Sequence, residues 1–199
     1  MKTIGLTGGV GAGKSTVLCY LKEKYDAFVI QADLVGHRVM EPGQSCYEPV
    51  IKLFGTDIIK EDKTLDRKKI SDIVFSSEEK LKKLNAIIHP AVKHAIIQEL
   101  EKEKTAGRPL CVVEAALLLE ENYQAFCDEI WYVHVSAETR IKRLMSDRGY
   151  SRKKSEEIIA SQAPEKTFFA HADFVIDNSR EQEYTFRQIA ERIKMYEIM

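Results

Sequence analysis

The feature that most constrains this chain lies near its start, where Gly8-Gly9-Val10-Gly11-Ala12-Gly13-Lys14-Ser15 fits the pattern GxxxxGK[ST]. Its flanks match that pattern too. Lys2–Thr7 reads as a short apolar strand, and Lys14–Tyr25 reads as a helix with Val17, Leu18 and Leu21 on one side. A loop of this kind must turn successive backbone N–H groups inward around an anion, and glycine permits both the dihedrals and the close approach. The helix that follows aims the positive end of its dipole at the same point. Gly11, Ala12 and Gly13 are therefore expected to wrap a β-phosphate. Lys14 is expected to bridge β- and γ-phosphates, the Ser15 hydroxyl to coordinate Mg²⁺, and Thr16 to lie near the α-phosphate. These expectations name ATP as donor and Mg²⁺ as cofactor.

Beyond the loop, strand-like and helix-like segments alternate, the pattern of a largely parallel sheet covered by helices. Further strands are expected at Ala27–Ile30, Leu110–Glu114, Glu129–Val135 and Phe174–Asp177. A closing helix over Tyr184–Tyr196 places Phe186, Ile189, Ala190 and Ile193 at helical spacing. Trp131, Tyr132 and Val133 read as core strand. Two stretches carry no strand signal and read as helical insertions, about residues 40–108 and about 140–170. In the first, Asp66 is expected to cap a helix over Arg67–Phe75, and Ser76 with Glu79 forms a capping-box pattern. Pro90 is expected to open another helix that Gly107 ends. The fold class is thus α/β, a three-layer nucleotide-binding fold with a parallel five-stranded sheet. Its single domain runs over residues 1–199, with a core of about 1–39, 109–139 and 171–199.

Composition narrows the function classes. Hydrophobic residues make up 44% and charged residues 31%, which is ordinary globular usage. A net charge of −1 provides no general field for nucleic acid. The longest apolar run, Ala115–Leu119, is too short for a membrane span, and no signal-peptide pattern precedes the loop. Cys19, Cys46, Cys111 and Cys127 form no CxxC pair and read as free thiols, so a reducing, cytoplasmic setting is expected. Asp33-Leu34-Val35-Gly36 matches the DxxG of GTPases but follows the loop too soon to leave room for a switch segment, and no NKxD occurs. The transporter signature LSGGQ is absent as well.

Other residues admit two readings each. Asp33 stands at the carboxyl end of the second strand, the edge where parallel sheets bind ligands, and suits a base or a metal-positioning group. It equally suits a cap for a helix starting at Leu34. Arg140 and Arg143 share one helical face and, with Arg148, suit a phosphate-clamping flap or a solvated basic surface. His89 is either an acceptor contact or a structural residue beside Pro90, and Asn178 either an adenine contact or a turn former.

The motifs taken in order resemble the dephospho-coenzyme A kinase family. The resemblance rests on Thr7-Gly-Gly-Val-Gly-Ala-Gly-Lys-Ser-Thr16, Ala32-Asp33, Leu65-Asp66-Arg67, His89-Pro90, Val113-Glu114 with Leu117-Leu118-Leu119-Glu120, Gln162, and Ala172 through Asn178. It spans nearly the whole chain. It implies transfer of the ATP γ-phosphoryl to the ribose 3′-hydroxyl of dephospho-CoA with Mg²⁺. It also implies that the 40–108 insertion binds the acceptor and that 140–170 forms a lid. Residue by residue, it implies Asp33 as base, Lys14 and Arg140 at the transferring group, and Arg148 and Asn178 on the nucleotide. Thr7, Asp33, Arg67, His89 and Leu117 are implied toward the acceptor. The chain departs from the family where Gln31 precedes Ala32-Asp33, and where Glu114-Ala115-Ala116 replaces Asp-x-Pro. Nucleic acid and membrane partners are not expected.

Overall fold

The computed structural model describes residues 1–196, so the last three positions of the expected core, 197–199, lie outside the described residues. In chain order the elements are β1 (Lys2–Thr7), α1 (Lys14–Tyr25), β2 (Phe28–Gln31), α2 (Ala32–Arg38), α3 (Tyr47–Phe54), α4 (Arg67–Phe75) and α5 (Glu78–Thr105). They continue with β3 (Leu110–Glu114), β4 (Glu129–His134), α6 (Ala137–Arg148), α7 (Arg152–Ala160), α8 (Glu165–His171), β5 (Phe174–Asp177) and α9 (Gln182–Lys194). The sheet order is β2-β3-β1-β4-β5, and the β1–β3, β1–β4 and β4–β5 pairs are parallel. The expected strands and the helix over Lys14–Tyr25 are present, with β2 and β4 shifted or shortened by one residue.

The chain divides into two compact units, Met1–Val29 with Lys102 onward, and Ile30–Glu101. In the first, alternation along the strands decides which side chains meet. Ile4 and Leu6 of β1, Leu110 and Val112 of β3, Trp131 and Val133 of β4 and Ile176 of β5 form one apolar face. Against it pack Val17, Leu18 and Leu21 of α1 and Ile189 and Ile193 of α9. On the opposite face, Tyr132 stacks on Phe168 of α8 at 5.1 Å between ring centroids. The sheet is thus sandwiched between helical layers. Register then places chemistry: Leu6 lies beside both Glu114 and Trp131, so the carboxylate ending β3 stands next to the loop that β1 feeds.

The second unit is helical apart from one antiparallel bridge, Ile59 to Leu65. Asp66 caps α4 as expected, accepting from Lys68 N and Lys69 N at 3.1 Å. Two expectations for this stretch are corrected. The cap of α5 is Ser77, whose hydroxyl accepts from Lys80 N at 3.3 Å, because Ser76 is used in closing α4, donating to Ile73 O at 2.9 Å. Pro90 does not open a helix but lies inside α5, which runs unbroken from Glu78 to Thr105. An interior proline costs about 3 kcal/mol. Leu84, Val92, Ile96 and Leu100 form one buried stripe across it, and burial of each such side chain contributes about 1.5–3 kcal/mol, so packing wins. Gly107 does end this helix: its N–H bonds Lys104 O at 3.1 Å while Arg108 N bonds Glu103 O at 3.0 Å, a Schellman pair around a glycine with φ 77°.

No helix among the described residues is long and apolar enough to cross a membrane. The four cysteines are free thiols.

At the amino-terminal edge of the sheet, Glu129 joins β1, β4 and α9. It pairs with Lys2 at 3.2 Å and Arg192 at 3.0 Å, and accepts from Trp131 Nε1 at 3.0 Å and from the Tyr196 hydroxyl. Burial alone would raise the Glu129 pKa, but hydrogen bonds from Tyr196, Trp131, Lys2 and Arg192 outweigh it and hold it down to about 2. A carboxylate with a folded pKa below its unfolded value of 4.5 stabilises the fold fully above 4.5, and that contribution disappears as pH falls toward 2. Glu129→Gln is therefore expected to lose about 1–3 kcal/mol at neutral pH, and to lose less than the wild type between pH 4.5 and pH 2. Urea denaturation across that window checks both; equal acid slopes would remove the network from the account.

Candidate active site

The loop between β1 and α1 follows directly from its residue types. Gly13 is the residue before α1, at φ 92° and ψ 27°, and no side chain caps that helix. The first N–H groups of a helix have no intrahelical partners, so an uncapped start of this kind is suited to an anion. A β-carbon at Gly13 would collide with Asn178 Nδ2, and one at Gly9 would fall inside the Arg140 guanidinium. Glycine is needed here for closeness of approach as much as for dihedral freedom.

What holds the loop is a set of side chains on its carbonyls and on the Val10 N–H. Arg140 Nε donates to Val10 O at 2.8 Å. Arg143 Nη1 reaches Gly11 O at 3.4 Å and Ala12 O at 3.3 Å, and its Nη2 donates to Asn178 O at 2.9 Å. Asn178 Nδ2 donates to Ala12 O at 2.7 Å. Gln162 Oε1 accepts from Val10 N at 3.2 Å and also from the Arg140 guanidinium. Within the loop, Ala12 N bonds Gly9 O at 3.1 Å. Peptides whose carbonyls are drawn outward present N–H groups toward the opposite side, which is the geometry an anion cradle requires.

Lys14 Nζ donates to Gly8 O at 2.8 Å and stands 3.6 Å from Glu114 Oε1, a carboxylate that is buried at the end of β3. The Gly8 carbonyl and the Glu114 counter-charge thus help hold the ammonium over the loop. Ser15 is exposed in the first turn of α1 and Thr16 half-buried beside it. Thr7 is buried at the end of β1, and its hydroxyl has no hydrogen-bond partner among the described residues. Burial lowers the Arg140 pKa from its usual value, with Tyr132 and Glu165 acting in the opposite direction.

The first unit therefore gathers Thr7, Gly11–Thr16, Arg140 and Asn178 around one loop. Arg148 sits exposed in the last turn of α6, and Leu117 is 48% exposed after β3. Asp33, Arg67 and His89 belong to the second unit. Asp33 is exposed in the first turn of α2, Arg67 exposed at the start of α4, and His89 half-buried within α5. The capping alternative for Asp33 is corrected: α2 begins at Ala32, its cap position is Gln31, and no side chain caps that helix. Arg143 reaches the loop one turn beyond Arg140, and its shared face with Arg140 was the sequence signal. Gln162 stood out only as part of a family pattern. Thr185 was missed, although it sits on the stripe Thr185, Ile189, Ile193, where a polar residue among buried aliphatics is itself a signal.

Comparison with known proteins adds to this geometry. A family model described as dephospho-CoA kinase matches residues 2–183. The chain belongs to the dephospho-CoA kinase family. A dephospho-CoA kinase of Carboxydothermus hydrogenoformans is 41% identical over 186 residues, covering 94% of this chain and 90% of its own length. One from Oceanobacillus iheyensis is 37% identical over 195 residues, covering 98% of each. Among solved structures, a Thermus thermophilus protein superposes with TM-score 0.83 at 28% identity, covering 98% of this chain and 96% of its own. A shikimate kinase from Acinetobacter baumannii superposes with TM-score 0.57 at 14% identity, over 100% of this chain and 96% of its own, a likeness of fold alone. As a member of the family the chain is an enzyme, a nucleotide-binding transferase of the kinase class.

Gly13→Ala tests the close approach. With φ at 92° and Asn178 in the way, the variant is expected to lose about 1–3 kcal/mol of stability and at least about tenfold in ADP affinity. Thermal denaturation and calorimetric titration measure the two; wild-type affinity would mean the loop yields easily.

Proposed function

We propose that this enzyme transfers the γ-phosphoryl group of ATP to the ribose 3′-hydroxyl of dephospho-CoA, giving CoA and ADP, the last step of coenzyme A biosynthesis. The observation that carries the proposal is that the family match, residues 2–183, runs through both the phosphate-type loop and the helical stretch of about residues 40–108, to which this reading assigns acceptor recognition. In the reaction the 3′ oxygen bonds to the γ-phosphorus as the bond to the β–γ bridging oxygen breaks, ADP leaves, and the hydroxyl proton passes to a base. Asp33 is that base in this reading. Its support is an exposed carboxylate that no helix cap consumes.

On the donor side, Gly11 and Gly13 supply backbone N–H groups, Ala12 keeps its place in the cradle with its own N–H bonded to Gly9 O, and Lys14 bridges β- and γ-phosphates. Lys14 is worth most as charge shifts in the transition state. Thr16 lies toward the α-phosphate. Mg²⁺ suits this donor set: Ser15 is exposed in the first turn of α1, and Mg²⁺ at phosphates is held by few protein oxygens plus phosphates and water. The Ser15 hydroxyl would hold it, and the ion would supply charge neutralisation on the phosphoryl oxygens. Arg140 presents a planar cation able to turn from Gln162 to those oxygens, and Arg148 adds charge from the same helix. Segments α6 to α8, about residues 140–170, act as the lid. Thr7, Arg67, His89 and Leu117 are assigned to the acceptor, and Asn178 to the nucleotide side.

In a coupled assay with Mg²⁺ and ATP, dephospho-CoA is expected to stimulate ADP release and to be phosphorylated at the 3′ position. AMP, CMP, shikimate and pantothenate should each give at least about 100-fold lower kcat/KM, roughly 2.7 kcal/mol. A nucleoside monophosphate winning that panel would overturn the acceptor. Lys14→Ala should lose more than about tenfold in kcat/KM, and Asp33→Asn about 10²–10⁴-fold in kcat with ATP affinity little changed. Normal turnover in Asp33→Asn would remove it as the base.

A further inference from the structure

The side chain that holds the Ala12 carbonyl most closely is not itself free to turn. Asn178 is buried, 6% exposed, and its backbone N–H continues the β4–β5 ladder to His134 O at 2.9 Å. Its amide has two neighbours. One is Ala12 O, which can only accept, so the group facing it at 2.7 Å is the Nδ2 amine. The other is the Thr185 hydroxyl, fully buried, 2.8 Å from Oδ1. With Oδ1 fixed as acceptor, the hydroxyl donates. The turn between β5 and α9 is clamped a second time from the same helix, since Gln188 Oε1 accepts from Asp177 N at 3.0 Å and its Nε2 donates to Asp177 O at 2.9 Å.

We infer that Thr185 is a positioning residue for nucleotide binding, acting through Asn178 on the Ala12 carbonyl. The chain of bonds runs Thr185 Oγ1–H to Asn178 Oδ1, then Asn178 Nδ2–H to Ala12 O. It holds the peptide that joins Ala12 to Gly13 with its oxygen outward, so the Gly13 N–H faces the phosphate side. Without the hydroxyl, Oδ1 is a buried acceptor with no donor, and the amide loses the reason to keep its amine on the loop. Arg143 also approaches Ala12 O, but at 3.3 Å against 2.7 Å, and its guanidinium is shared with Gly11 O and Asn178 O. Asn178 therefore sets the carbonyl, and Thr185 sets Asn178. The residue touches neither substrate nor reacting atoms. Its position on the buried stripe with Ile189 and Ile193 is what lets α9 reach the loop.

The inference rests on the phosphoryl-transfer reading only in taking this loop as the nucleotide site, so it is tested on Mg-ADP without any acceptor. Failure of dephospho-CoA as substrate would leave it standing. Thr185→Val keeps the shape and removes the donor, and is expected to weaken Mg-ADP binding about tenfold by calorimetric titration. Thr185→Ser keeps the donor and loses a methyl group, and is expected to restore affinity to within about threefold of wild type while melting lower. A residue that mattered only to packing would show the reverse: Thr185→Ser harmed and Thr185→Val not. Unchanged ADP affinity in Thr185→Val, or equal weakening in both variants, overturns the inference. Asn178→Asp gives an independent reading should Thr185→Val fail to fold. It sets an acceptor against the Ala12 carbonyl, and wild-type ADP binding by that variant would also overturn the proposal.

Discussion

An anion cradle made from backbone works only if its peptides are turned one way, N–H groups in and carbonyls out. Bonds within the eight-residue glycine-rich segment, such as Ala12 N to Gly9 O, are too few to enforce that, because the dihedral freedom that lets glycine adopt the required conformation also lets it leave. Here the enforcement comes from outside the loop. Arg140 and Arg143 of α6, Gln162 after α7 and Asn178 after β5 each bond the loop backbone. Four points on a loop this short remove much of the conformational entropy that binding would otherwise have to overcome, and the fixed dipoles need little reorganisation when charge moves.

The arginines illustrate how one residue type can have two uses. From sequence they looked like a clamp for phosphate, or else a solvated basic face. In the structure Arg140 and Arg143 are half-buried, and their guanidinium groups bond the loop itself. The planar guanidinium explains why arginine suits this place: Arg143 spans carbonyls of Gly11, Ala12 and Asn178 at once, which the point charge of a lysine cannot do.

Legibility varied with the range of the interaction. The strand bounds, α1 and its buried face, the Asp66 cap and the Gly107 terminus all came from local patterns, where neighbouring residues decide the outcome. The two misplacements, Ser76 for Ser77 and a helix start at Pro90, occurred where local preference was outvoted. Adjacent serines offered equivalent caps, and a buried stripe from Leu84 to Leu100 carried α5 through its proline. Asp33 read equally well as cap or free carboxylate, and only the observed start of α2 at Ala32 separated the two.

By itself the sequence determined that a phosphate-type loop sits between a strand and a helix, that the sheet is parallel, and that Lys14 opens the helix directly after that loop. These follow from dihedral limits, side-chain periodicity and motif spacing, all of which act within a few residues. Only the tertiary structure decided what holds that loop. Ala12 and Asn178 lie 166 residues apart and Arg140 lies 130 from Val10, and such pairs exist because β1, β4 and β5 run parallel and side by side. The sheet brings their carboxyl ends to one edge, and burial then leaves each polar group there to find its partner among whatever that edge presents.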